Sequence, residues 1–179
     1  MLSSMRKRTA LVVLLLALAA AAAVVAQAPP RPLLSDADVK KFIVDFKPLI
    51  AELGQLGLGQ EAETAPRNPG EPPGIVSVLR ASAEAQKILG KYGWGDAQFQ
   101  KFSAVFYSYL ALKMEEQAAA QLAQVDRSSA EQKPKARTEL GALAEQLAAA
   151  AASYRAQVHP DDLKTVQANE EALDAVAEE

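Results

Sequence analysis

The chain has no cysteine and a single histidine among its 179 residues. Without cysteine there can be no disulfide, no thiolate-bound zinc or iron–sulfur cluster, no thiol nucleophile and no lipid attached through sulfur. One histidine excludes a multi-histidine metal site. Aromatic residues make up only 6% of the chain, and β-branched residues are sparse. That scarcity argues against a sheet, whereas alanine, which fills 37 positions, is the strongest helix former. The balance of 22 acidic to 19 basic side chains leaves a net charge of −3. No basic footprint for nucleic acid follows from such a balance, and no nucleic-acid partner is expected.

What is present begins with an export pattern. Arg6, Lys7 and Arg8 precede an uncharged apolar run at 9–25, which ends in the small-residue stretch Val24, Val25 and Ala26. Pro29 and Pro30 stop any helix from continuing. These three parts make a secretory signal peptide at 1–26, with cleavage after Ala26. The alternative is an uncleaved membrane anchor, because about 17 apolar residues lie at the lower limit for a bilayer span. Only in that case is membrane contact expected. Cleavage removes three cations and no acid, so 16 basic residues would face 22 acidic ones, a net charge of −6.

The mature chain reads as a flexible leader at 27–34 and one helical domain at 35–177, interrupted by a disordered Pro/Gly-rich loop at 57–73. Residues 57–74 contain four Gly and four Pro with almost no apolar content. Helix one starts at Ser35, an N-cap with Asp38 three residues on, and Leu34 and Val39 form a staple. Its apolar face is Val39, Phe42, Ile43, Phe46, Ile50 and Leu53, with a kink expected at Pro48. Helix two is expected as one piece from near Pro73 to Lys91 or Tyr92, followed by a turn with Gly93 at C′ and Asp96 as the next N-cap. Helix three, at 97–125, carries two apolar stripes. Phe99, Phe102, Phe106 and Tyr109 form one; Tyr107, Ala111, Met114, Ala118, Leu122 and Val125 form the other. A helix with two such stripes is contacted from two sides. Helix four runs to about Val158 through Leu140, Leu143, Leu147, Ala151 and Tyr154, a near-heptad seam with an alanine run at 148–152. A seam of that kind can also pair with its own copy. Helix five follows Pro160 and turns Leu163, Val166 and Leu173 inward. The fold class predicted is all-α, an irregular antiparallel bundle of about five helices with helix three in its middle.

Candidate chemistry is thin. None of the G-x-S-x-G, S-x-x-K, H-E-x-x-H, Walker or G-x-G-x-x-G patterns occurs. His159 with Asp161 and Asp162 reads as a helix end and two caps rather than a metal site. Glu115 and Glu116 point about 100° apart on a helix and share no face. Lys113 reads as a snorkelling lysine beside the aromatic seam. Trp94, between two glycines, reads either as a plug sealing the helix two–three end or as an exposed anchor for a partner. Trp94, Phe99, Phe102, Phe106 and Tyr109 are the candidate interaction residues. No catalytic residue, cofactor or metal is expected.

Four stretches, LSDADVKKFIVDFKPLI at 34–50, ILGKYGWGDAQFQKF at 88–102, YSYLALKME at 107–115 and VHPDDLKTVQANEEALDAV at 158–176, carry a resemblance. The chain resembles a loose group of small exported helical proteins of Gram-negative bacteria that have no assigned function. The resemblance implies an all-α periplasmic or secreted protein and transfers no site residue. The expected function is non-enzymatic: an adaptor or chaperone-like module that binds another envelope protein or a hydrophobic segment. The alternatives are a binder of a small apolar ligand or lipid in a pocket lined by the five candidate aromatics and an enzyme using carboxylates that converge only in three dimensions.

Overall fold

The computed structural model describes residues 31–58, 75–129 and 133–177. The expected signal peptide at 1–26, the start of the leader and residues 59–73 of the expected loop lie outside the described residues. Among the described residues every regular element is helical and no strand occurs, so the chain is all-α. The helices are α1 (Asp36–Gly54), α2 (Ile75–Ala81), α3 (Ala83–Lys91), α4 (Phe99–Arg127), α5 (Lys133–Arg155), α6 (Pro160–Gln167) and α7 (Glu170–Ala177), with a 3-10 turn at Asp96–Gln98 before α4.

Among the described residues seven helices replace the expected five because two of those five are broken. Ser82, inside the single helix expected from near Pro73 to Lys91 or Tyr92, takes an extended conformation, and its hydroxyl accepts the Ala85 amide at 3.2 Å. It ends α2 and caps α3. Gln86 reinforces the break by donating its side-chain amide to the Leu79 carbonyl at 2.8 Å. Helix five divides at Asn169, whose side-chain amide donates to the Thr165 carbonyl and to the Asp36 carboxylate.

Two compact units divide the chain. Among the described residues the first comprises 31–58, 75–110 and 154–177. Its α1 opens with the expected capping box. The Ser35 hydroxyl accepts the Asp38 amide at 3.3 Å, and the Asp38 carboxylate accepts the Ser35 amide at 2.8 Å. The helix continues past Pro48 to Gly54. Its buried residues are Val39, Phe42, Leu49 and Leu53, with Phe46 half-buried between them. Those five follow steps of 3, 4, 3 and 4. Ile50, expected inside, is 41% exposed, because it lies about 100° around the helix from Leu49. This helix packs against α3, α6 and α7. On α6 and α7, Leu163, Val166 and Leu173 are buried as expected.

The leader is not free at its end. Asp162 is fully buried, and its carboxylate accepts the Leu33 amide at 2.9 and 3.1 Å and the Leu34 amide at 2.7 Å. A buried carboxylate must be hydrogen-bonded, and here two backbone N–H groups meet that need.

Among described residues the second unit comprises Ala111–Ser153. Its part of α4 buries Ala111, Leu112, Met114, Ala118 and Val125, while Leu122, expected inside, is 52% exposed. Its part of α5 buries Ala144, Leu147, Ala150 and Ala151. Leu140 and Leu143 are only half-buried, so the seam is centred on alanine rather than leucine.

Candidate functional site

The candidate aromatics lie in the first unit, and their positions follow from how α3 ends. Gly93 has φ +76°, its amide donates to the Gly90 carbonyl at 3.0 Å, and the Trp94 amide donates to the Leu89 carbonyl at 2.7 Å. This crossed pair is a Schellman motif, with Gly93 at C′ and Trp94 at C″. Its usual companion is an apolar contact between C″ and C3, and both Trp94 and Leu89 are buried. Gly95 then passes close to the helix it leaves: a Cβ there would stand 3.1 Å from the Gly90 Cα. Asp96 is not the N-cap of the next helix. Gly95 holds that position before the 3-10 turn, and Asp96 has φ +44°, a region that aspartate tolerates better than most residues.

Trp94 is 1% exposed. It is a plug rather than an exposed anchor. Its indole N–H donates to Asp45 Oδ2 at 2.8 Å, and the Lys41 ammonium lies over its ring, 4.5 Å from the centroid. The same ammonium bonds the Asp45 carboxylate and the Tyr92 carbonyl. One basic and one acidic residue of α1 therefore tie down both the ring and the turn that carries it. Beside them, Glu52 accepts from Lys91 at 2.5 Å and from the Tyr92 phenol at 2.6 Å. The Lys91 and Tyr92 hydrogen bonds hold the Glu52 carboxyl below its usual range.

Phe99 and Phe102 are buried as well, and Phe106 is half-buried. Their rings touch one another. Phe102 lies 5.5 Å from Phe42, 6.2 Å from Trp94, 6.0 Å from Phe99 and 6.1 Å from Phe106 between centroids. These separations are those of packed aromatic pairs. The rings proposed as the lining of an apolar pocket are thus in contact with each other. Tyr109, half-buried, donates its hydroxyl to Asp174 at 3.0 Å and joins α4 to α7. The five candidates consequently behave as core and as ties between helices.

The remaining candidates are equally tied. Lys113 pairs with Glu116 at 2.7 Å. His159 is not the end of a helix but the N-cap of α6, its Nδ1 accepting the Asp161 amide at 3.2 Å. Asp161 pairs with Lys164 at 2.9 Å, and Asp162 holds the leader rather than capping α6. Among the described residues no group of three or more His, Asp or Glu is placed to hold a metal.

Sequence reasoning missed Asp45 and Asp174, the acidic partners of Trp94 and Tyr109, and took Asp162 for a helix cap rather than the partner of the leader. Lys41 and Asp45 did carry a signal, since opposite charges four apart on a helix are neighbours. Nothing local marked the other two, whose partners are 128 and 65 residues away.

Among the described residues the large apolar side chains most exposed to solvent are aliphatic. In the first unit Val44 is 76% exposed and Ile50 41%. Pro48 and Ala51, four and seven residues beyond Val44 on the same face, are exposed too. No protein-family model, no curated protein and no solved structure matches the chain.

Proposed function

We propose that this is an exported envelope protein without catalytic chemistry, which binds another envelope protein or a hydrophobic segment in the manner of an adaptor. Export rests on the basic, apolar and small-residue succession at 1–26. Binding rests on one observation, the exposed aliphatic stripe on the outer face of α1, where Val44, Pro48 and Ala51 follow helical spacing. The stripe lies on the face opposite Val39, Phe42, Leu49 and Leu53, which are buried. Contiguous exposed apolar surface is the usual mark of an interaction site. The buried aromatics would support that surface from beneath rather than touch a partner.

Two measurements test the reading. Intact mass of the protein recovered from the cell envelope should give a chain beginning at Gln27; retention of residues 1–26 would replace the soluble adaptor with an anchored one. A photo-crosslinking residue at position 44 should give one discrete adduct in cells, and one at Gln124, exposed and polar, should not. The same adducts at both positions, or none at position 44, would remove the adaptor reading.

A further inference from the structure

The first described helix is completed by the last two described ones. α1 packs against α6 and α7. The backbone just before it, at Leu33 and Leu34, is held by the buried Asp162 of α6. Its first residue, Asp36, accepts from Asn169, which separates α6 from α7, at 3.0 Å. These hydrogen bonds span 128 to 133 residues of sequence. α7 is in turn fastened to α4 by Tyr109 and Asp174. Helices of 19 and 8 residues derive most of their stability from packing of an apolar face, and an eight-residue helix has almost none alone.

We propose that the first unit closes between its first and last described helices, so that α1, which also packs on α3, gains its full native packing only when α6 and α7 have been made and docked. Residues up to about 158 then remain without a finished first unit throughout synthesis. In an exported chain this order keeps α1 open to threading until α6 and α7 emerge. That consequence rests on the export reading; the closure itself does not.

Native-state hydrogen exchange on the full chain tests the closure directly. Leu173 is 2% exposed in α7, and Leu173→Ala removes a buried side chain whose loss accelerates opening on the order of thirtyfold or more. The amides of α1 should exchange faster by about the same factor as those of α7. Should Leu173→Ala prevent folding, Leu173→Val provides a milder version, with both helices accelerated together by about fivefold. Unchanged exchange in α1 while α7 accelerates would overturn the proposal. That outcome does not depend on where the protein resides or what it binds.

Discussion

The phenol oxygen of Tyr107 is buried without a hydrogen-bond partner among the described residues, and so is the Ser108 hydroxyl. Tyr107 stacks on Tyr154 with centroids 5.6 Å apart, so its ring packs well while its oxygen is stranded. A buried hydroxyl that makes no bond costs free energy, and removing it relieves that cost. Tyr107→Phe should therefore leave stability unchanged or raise it by about 1 kcal/mol, read from urea unfolding. Asp162 presents the opposite case, because its carboxylate satisfies two amides. Asp162→Ala should lower stability by about 1–3 kcal/mol and speed exchange at Leu33 and Leu34, whereas Asp162→Asn, which keeps one acceptor oxygen, should fall between. Equal behaviour of the Tyr107 and Asp162 variants would show that burial, not bonding, decides their effect.

At the scale of the element, what could be read from sequence divides by range. The start of α1 was legible because Ser35 and Asp38 complete their capping box within four residues. The end of α3 was legible because a glycine between Tyr92 and Trp94 supplies the left-handed residue that a helix stop needs. Gly93→Ala should accordingly cost about 1–2 kcal/mol, seen as a lower thermal midpoint. A midpoint unchanged by that substitution would mean that the turn does not hold α3 in place. The break at Ser82 was not legible, because apolar spacing continues across it and its cap has no acidic residue at N3. Ile50 was misplaced by one residue because Leu49 and Ile50 compete for the same turn, and only packing against α3, α6 and α7 decides between them. The candidate site fared worse than the elements. Aromatic spacing showed where the core lies, but the burial of Trp94 depends on Asp45 and Lys41, a helix away in sequence.

At the scale of the whole molecule the helical class follows from composition, while the pH behaviour follows from how its carboxylates are paired. Asp36 is held below the usual carboxylate range by Lys40 and Asn169, Glu52 by Lys91 and Tyr92, and Asp161 by Lys164. Burial works against Asp38, yet Ser35 and Lys101 hold it low as well. A group whose folded value is depressed stabilises the fold above its unfolded value, and that stabilisation is lost as pH falls through the folded one. The opposite shift occurs at the alkaline end. The Glu52 hydrogen bond raises Lys91 and Tyr92, and burial raises Tyr107 well beyond the usual phenol range. The Lys91 and Tyr92 contribution is complete below their unfolded values, near pH 10, and is lost as pH climbs through the raised ones, while in the same range the buried Tyr107 phenol resists ionisation and so favours unfolding. The urea midpoint should therefore be flat from about pH 5 to 9 and fall on both sides. Tyr107→Phe should flatten the alkaline limb, because the phenylalanine has no proton to lose, and should leave the acid limb where it was. A midpoint that rises between pH 5 and 3 would mean that the pairings of Asp36, Asp38, Glu52 and Asp161 do not stabilise the fold. An alkaline limb untouched by Tyr107→Phe would place the sensitivity at Lys91 and Tyr92 instead.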